Sequence, residues 1–261
     1  MYFEVLSGIL LPFLGTALGA GCVFFIVGSE LKDSFQTIVS GFAGGVMIAA
    51  SVWSLIIPAI EYESSAKLGQ LAFLPATVGL WAGIVFLMLT GIFLDRIDES
   101  KLLHKAKRSF GDNTMLFLSV TLHNLPEGMA VGVVYAALIA TPSGEALGGA
   151  IALSLGIAIQ NFPEGAIISI PLRADGKKKI NSFLCGVISG LVEPIGAALT
   201  LLAVSVVSSI LPFLLGFAAG AMIYAVVKEL MPTVCAEKGY SGVISFAAGF
   251  CIMMVLDIVF G

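Results

Sequence analysis

Eight apolar stretches, each long enough to cross a hydrocarbon core that needs about 20 residues, take up almost the whole of this chain. They run over approximately 4–27, 35–60, 72–94, 113–140, 144–171, 180–206, 210–232 and 241–260. In lipid a spanning backbone must satisfy its own polar groups, so runs of this length are helices. The expected fold class is all-α integral membrane, a single transmembrane domain over 1–261. The only substantial loop is Asp95–Asp112, which leaves no room for a soluble domain. Composition agrees, with 58% hydrophobic and 11% charged residues. The first stretch, Glu4 to Val27, is too long for a signal-peptide core and lacks a basic flank, so it reads as a span.

The net charge of -4 sits in short loops and at a few buried points, and there is no polybasic tail. A nucleic-acid partner is therefore not expected. Cys22, Cys185, Cys235 and Cys251 are scattered through apolar segments without a CxxC pair and read as free thiols, not a disulfide framework. Basic residues set the orientation. Loops after the odd-numbered spans carry Lys32; Arg96, Lys101, Lys105, Lys107 and Arg108; Arg173, Lys177, Lys178 and Lys179; and Lys238. Loops after the even-numbered spans carry only Lys67. The positive-inside rule puts the first set in the cytoplasm and both termini on the extracellular or periplasmic side. The expected location is a cell (plasma or inner) membrane, crossed many times, with the lipid bilayer as constant partner.

Gly41-Phe42-Ala43-Gly44-Gly45-Val46-Met47-Ile48 parallels Gly216-Phe217-Ala218-Ala219-Gly220-Ala221-Met222-Ile223, and Pro58 and Pro232 follow at nearly equal distances. Spans two and seven cross in opposite directions, as do spans four and five. The pattern predicts a 3+2+3 arrangement in which spans one to three and six to eight are inverted repeats around a central pair. Shared small-residue packing chemistry is the competing explanation.

The central pair holds two matching segments, His123-Asn124-Leu125-Pro126-Glu127-Gly128 and Gln160-Asn161-Phe162-Pro163-Glu164-Gly165. At about 100° per residue, His123, Asn124 and Glu127 share one helix face, and Gln160, Asn161 and Glu164 share another. Pro126 and Pro163 free the carbonyls of Leu122 and Ile159, so a kink is expected in each helix. Glu193, followed by Pro194, lies at a similar depth in span six. Carboxylates at mid-membrane are costly and mark function, and no Lys or Arg lies at that depth to neutralise them. They are expected to hold a metal ion or protons. Imidazole with carboxylate and amide oxygens suits Zn²⁺ and its neighbours Fe²⁺ and Mn²⁺, whereas an all-oxygen site would have pointed to Ca²⁺ or Mg²⁺.

The paired motifs resemble the signature of the ZIP (Zrt-, Irt-like) divalent-metal transporters, most of all small prokaryotic members of the GufA-like branch. The likeness extends to Val192-Glu193-Pro194-Ile195-Gly196, Gly44-Gly45-Val46-Met47 and Leu256-Asp257. The resemblance implies a primary metal site of His123, Glu127, Gln160 and Glu164, with Met47 as a softer ligand. It implies an adjoining second site of Asn124, Asn161 and Glu193, sharing Glu127 and Glu164. Two features depart from the family pattern: Lys228 precedes Glu229 late in span seven, and the loop between spans three and four has only His104 where relatives are often histidine-rich.

The expected function is zinc uptake into the cytoplasm, extending to Fe²⁺, Mn²⁺ or Cd²⁺, with no prosthetic group and no catalytic residues. Ions would exchange water for protein ligands at mid-membrane, and glutamate protonation would aid their release. Two rivals remain: an intramembrane metal-dependent hydrolase, which the absence of HExxH disfavours, and an ion-coupled carrier of an organic solute. A homodimer is compatible with the resemblance, although no heptad or interface signal points to one. Asp257 is read as lying at an entrance or bonding a neighbouring helix, and Ser51 and Ser54 as lining a pathway or bonding their own carbonyls four residues back.

Overall fold

The computed structural model describes residues 2–25, 33–66, 71–98, 114–140, 142–174, 176–202, 210–236 and 239–260. Eight helical spans emerge, each long and apolar enough to cross a membrane. They are α1 (Tyr2–Gly21), α2 (Asp33–Ala50, continuing to Ala66), α3 (Phe73–Asp98), α4 (Thr114–Ala140), α5 (Gly144–Ala174), α6 (Lys179–Gly190, then Val192–Leu202), α7 (Leu211–Ala225, continuing to Ala236) and α8 (Ser241–Phe260). No strand occurs among the described residues. Most of the basic residues behind the orientation, Lys32, Lys67, Lys101, Lys105, Lys107, Arg108 and Lys238, lie outside the described residues, as does His104.

Local chemistry explains the boundaries. Ser143 caps α5, its hydroxyl accepting from the Ala146 amide at 3.0 Å. At the far end Gly176 takes φ 89°, and its amide returns to the Arg173 carbonyl at 3.0 Å. That left-handed turn is open to glycine and strained for most other residues. Pro212 opens α7, where a missing amide proton costs nothing.

Prolines do not break the helices where the motif suggested. Both α4 and α5 run as α-helix through Pro126 and Pro163. The interruptions fall in three other spans. Span six turns at Leu191, just before Glu193 and Pro194. Span two passes through a π segment at Ser51–Ile56, and span seven through another at Val226–Leu230. The interval from Gly41 to Ser51 equals that from Gly216 to Val226, so the two similar segments carry the same backbone irregularity at the same place. A π turn shifts the helix register by one residue, redirecting the side chains that follow.

The spans fall into two groups. One consists of α1, α4, α5 and α6, with α1 closely paired to α5 and α4 to α6. The other consists of α2, α3, α7 and α8, with α2 paired to α8 and α3 to α7. All four pairings rest on glycine against a neighbouring carbonyl. A Cβ at Gly165 would strike the carbonyl of Thr16, and one at Gly128 that of Glu193. Equivalent clashes would follow at Gly45 with Phe246 and at Gly83 with Phe217. Without a hydrophobic drive between helices in lipid, such backbone-to-backbone approach is what holds them together. Edge-on aromatic contacts add to it, Trp53 meeting Phe250 with ring centroids 5.4 Å apart across α2 and α8. The two groups meet where α2 and α8 touch α5 and where α7 touches α4.

Candidate metal centre

The first group buries a set of side chains that an apolar interior ordinarily excludes. Asn124, Glu127, Gln160, Asn161, Glu164 and Glu193 are all buried, projected inward by α4, α5 and the second half of α6. Gln160 Nε2 donates to Glu127 Oε1 at 2.7 Å, joining α5 to α4. Asn124 Nδ2 donates to Glu193 Oε1 at 3.2 Å and to the Ser189 carbonyl at 3.2 Å, joining α4 to α6. These bonds use the amide nitrogens and so turn the amide oxygens the other way. The Asn161 amide lies near both Glu127 and Glu193. The three glutamates are close enough to sense one another's charge.

What remains after these bonds is a set of unused acceptors and one unused donor, Asn161 Nδ2. Asn124 Oδ1, Glu127 Oε2, Gln160 Oε1, Asn161 Oδ1, Glu164 Oε2 and Glu193 Oε2 are buried without a hydrogen-bond partner. Buried polar atoms are rarely left so, and an isolated buried carboxylate is expensive. Six oxygens with free lone pairs against a single spare donor are the complement of a cation.

Each expected ligand finds a definite place except His123, which lies on α4 but whose side chain falls outside the described residues. Met47 is buried on α2, in the other group of helices, and shares a cavity of about 110 Å³ with Glu164. Glu193 is tied directly to Asn124, and Glu127 to Gln160. Among the described residues, no three His, Cys, Asp or Glu side chains are placed so that they could hold a metal ion on their own. The cluster is thus a mixture of carboxylates and amides.

Two cavities reach inward from opposite ends. The first is lined by Gln36 and Ser40 near the start of α2, Glu229 and Thr233 near the end of α7, and Met47 and Glu164 at its inner wall. The second, of about 420 Å³, is lined by Glu61 near the end of α2, Leu211 at the start of α7, Ser143 ahead of α5, and by Ser54 and Asp257. Each is walled partly by a π segment, the first by that of α7 and the second by that of α2.

One contact was not legible in the sequence, and others choose between alternatives that it left open. Thr16 of α1 donates its hydroxyl to Glu193 Oε1 at 2.8 Å, bringing a fourth helix to the cluster. Ser54 binds both oxygens of Asp257, at 3.1 and 3.0 Å, so Asp257 bonds a neighbouring helix and also faces a cavity. Ser51 instead bonds the Met47 carbonyl at 2.8 Å, four residues back. Lys228 is exposed, while Glu229 beside it faces the first cavity.

These features define a multi-pass helical membrane protein with acidic and amide side chains gathered inside its spanning helices. Residues 95–257 match the family described as ZIP Zinc transporter. Zinc transporter ZIP11 of Xenopus tropicalis is 33% identical, over 99% of this chain and 97% of that protein. Zinc transporter GufA of Myxococcus xanthus is 34% identical, over 95% and 96% respectively. Zinc transporter ZIPB of Bordetella bronchiseptica is 34% identical, over 95% of this chain and 79% of its own. The chain belongs to the ZIP zinc transporter family.

Proposed function

We propose that this protein carries divalent metal cations, zinc foremost, across the membrane and into the cytoplasm through the cluster between α4, α5 and α6. The observation that carries this reading is the convergence of unpartnered buried oxygens from Asn124, Glu127, Gln160, Asn161, Glu164 and Glu193. Dehydrated cations in two adjoining sites satisfy them, and carboxylate and imidazole donors suit Zn²⁺. His123, Glu127, Gln160 and Glu164, with Met47, form the primary site. Asn124, Asn161 and Glu193 form a second, sharing Glu127 and Glu164. The named relatives are transporters, in keeping with a carrier and not an enzyme. Cd²⁺, Fe²⁺ and Mn²⁺ are the alternative cargoes.

The Lys and Arg bias places the end bearing the 110 Å³ cavity in the cytoplasm and both termini outside. Glu164 and Met47 then face the inner cavity, and Asp257, Ser54 and Glu61 the outer one. The helix pairings fit an inverted 3+2+3 repeat. Exchanging α1 with α6, α2 with α7, α3 with α8 and α4 with α5 turns the α1–α5 pair into α6–α4, and α2–α8 into α7–α3. The cluster travels with one group of helices while most of the lining of both cavities comes from the other. A shift of the first group against the second therefore changes which side the ion sees.

Purified protein in liposomes should accumulate Zn²⁺, and Glu127→Ala or Glu164→Ala should abolish accumulation. Uptake of an organic solute without any metal requirement would replace this reading with the rival carrier.

A further inference from the structure

Thr16 sits in α1, which gives no carboxylate or amide to the cluster, yet its buried hydroxyl reaches Glu193 Oε1 at 2.8 Å. The same hydroxyl has a second acceptor, the Pro12 carbonyl one turn back, at 3.5 Å. A buried threonine in a membrane helix ordinarily settles for that local bond. Here the shorter contact is to the carboxylate. The residue is held there from two sides: a Cβ at Gly190 of α6 would meet the Thr16 side chain, and one at Gly165 of α5 would meet its carbonyl. Both glycines let α1 come close enough for the hydroxyl to arrive.

The consequence falls on the two oxygens of Glu193. Oε1 receives Thr16 and Asn124, whereas Oε2 is buried with no partner. A carboxylate with both oxygens free can clasp a cation with two contacts or one. A carboxylate with one oxygen already holding two donors offers one. Small divalent ions take few ligands at about 2.0–2.2 Å, one oxygen from each carboxylate. Larger ions accept more oxygens and favour two-oxygen clasping.

We propose that Thr16 is a positioning residue: with Asn124 it fixes Glu193 as a one-oxygen ligand of the second subsite, and so tilts that subsite toward small divalent cations over large ones. The inference rests on the carrier reading above and concerns the chemistry of that same site. Removing the hydroxyl leaves Oε1 with the longer Asn124 contact alone, so that Glu193 turns more easily toward a two-oxygen grip on the ion, which weakens the geometry for Zn²⁺ and improves it for Cd²⁺.

The test compares initial rates of Zn²⁺ and Cd²⁺ uptake into liposomes across a range of concentrations. Wild type is set against Thr16→Val, which keeps the shape and loses the hydroxyl, and Thr16→Ser, which keeps the hydroxyl and loses the methyl over Gly190. In Thr16→Val the zinc KM should rise about tenfold, the scale of losing an outer partner of a ligand. The cadmium KM should change far less, so the Zn²⁺ to Cd²⁺ preference drops severalfold. Thr16→Ser should restore both. The ratio of the two metals is independent of how much protein folds. Thr16→Ala, smaller and without the hydroxyl, must shift it in the same direction. An unchanged ratio in Thr16→Val and Thr16→Ala, or a Thr16→Ser variant that fails where Thr16→Val succeeds, overturns the proposal and leaves the carrier reading standing. Wild type that takes up neither metal overturns the carrier reading itself.

Discussion

The two groups of helices bury polar residues in opposite ways. Buried serines in both groups close on their own backbone, as Ser51 does on the Met47 carbonyl at 2.8 Å and Ser154 on that of Ala150 at 2.9 Å; the difference lies in the buried carboxylates and amides. The buried carboxylate among the described residues of α2, α3, α7 and α8, Asp257, shares the Ser54 hydroxyl between its two oxygens. In α1, α4, α5 and α6, by contrast, three glutamates and three amides are buried with an oxygen left over on each. Both groups use the same glycine-to-carbonyl packing, so the contrast does not come from how the helices pair. It lies in the buried oxygens themselves, paired with Ser54 in one group and left over in the other.

The sharpest way to break this contrast is to delete a carboxylate from the group with oxygens left over. Glu127→Ala and Glu164→Ala should bring zinc uptake in liposomes below detection while the protein still purifies as a folded species. Almost as large an effect is expected from tying the groups together. Met253 of α8 presses its sulfur where Gly156 of α5 has no side chain. In a background without the four native cysteines, Gly156→Cys with Met253→Cys should stop uptake on oxidation and recover on reduction. If the oxidised protein transports normally, the groups do not move against each other.

A moderate effect is expected from packing. Gly128→Ile forces a side chain into the Glu193 carbonyl, and overpacking of this kind costs about 1–3 kcal/mol. Thermal stability in detergent should fall, and bound zinc should protect less than in wild type. A smaller effect is expected at the mouth of the larger cavity. Asp257→Asn removes a charge outside the cluster and should raise the zinc KM about fivefold, the worth of roughly 1 kcal/mol of attraction in water. The smallest belongs to Lys228→Ala. Its side chain is exposed, and uptake should stay within about twofold of wild type. A large gain would instead place its charge on the exit path.

How much of this was readable beforehand follows the physics of each signal. Spans of about 20 apolar residues announce themselves, and the described residues hold eight helices long and apolar enough to cross a membrane. Glu127, Glu164 and Glu193 stood out because a mid-membrane carboxylate has no bland explanation. Thr16 did not, since a hydroxyl among glycines reads as a local bond, and only the three-dimensional approach of α1 to α6 gives it another acceptor. The π segments were hidden for a similar reason. A register shift at Ser51 or Val226 leaves composition untouched, and the nearby prolines, Pro58 and Pro232, were legible only as a repeat. Pro126 and Pro163, for which the motifs predict a kink, lie inside continuous helix. Neighbouring helices in a membrane can support the carbonyls that such prolines free.

Anomalous X-ray scattering at the zinc edge, from crystals of wild type grown with Zn²⁺, addresses the cluster most directly. The account predicts a peak between α4 and α5 within bonding distance of Glu127 and Glu164, with a second beside Glu193 as occupancy rises. Peaks confined to Asp257 and the outer cavity, with the space between Glu127 and Glu164 dark at saturating zinc, would contradict it.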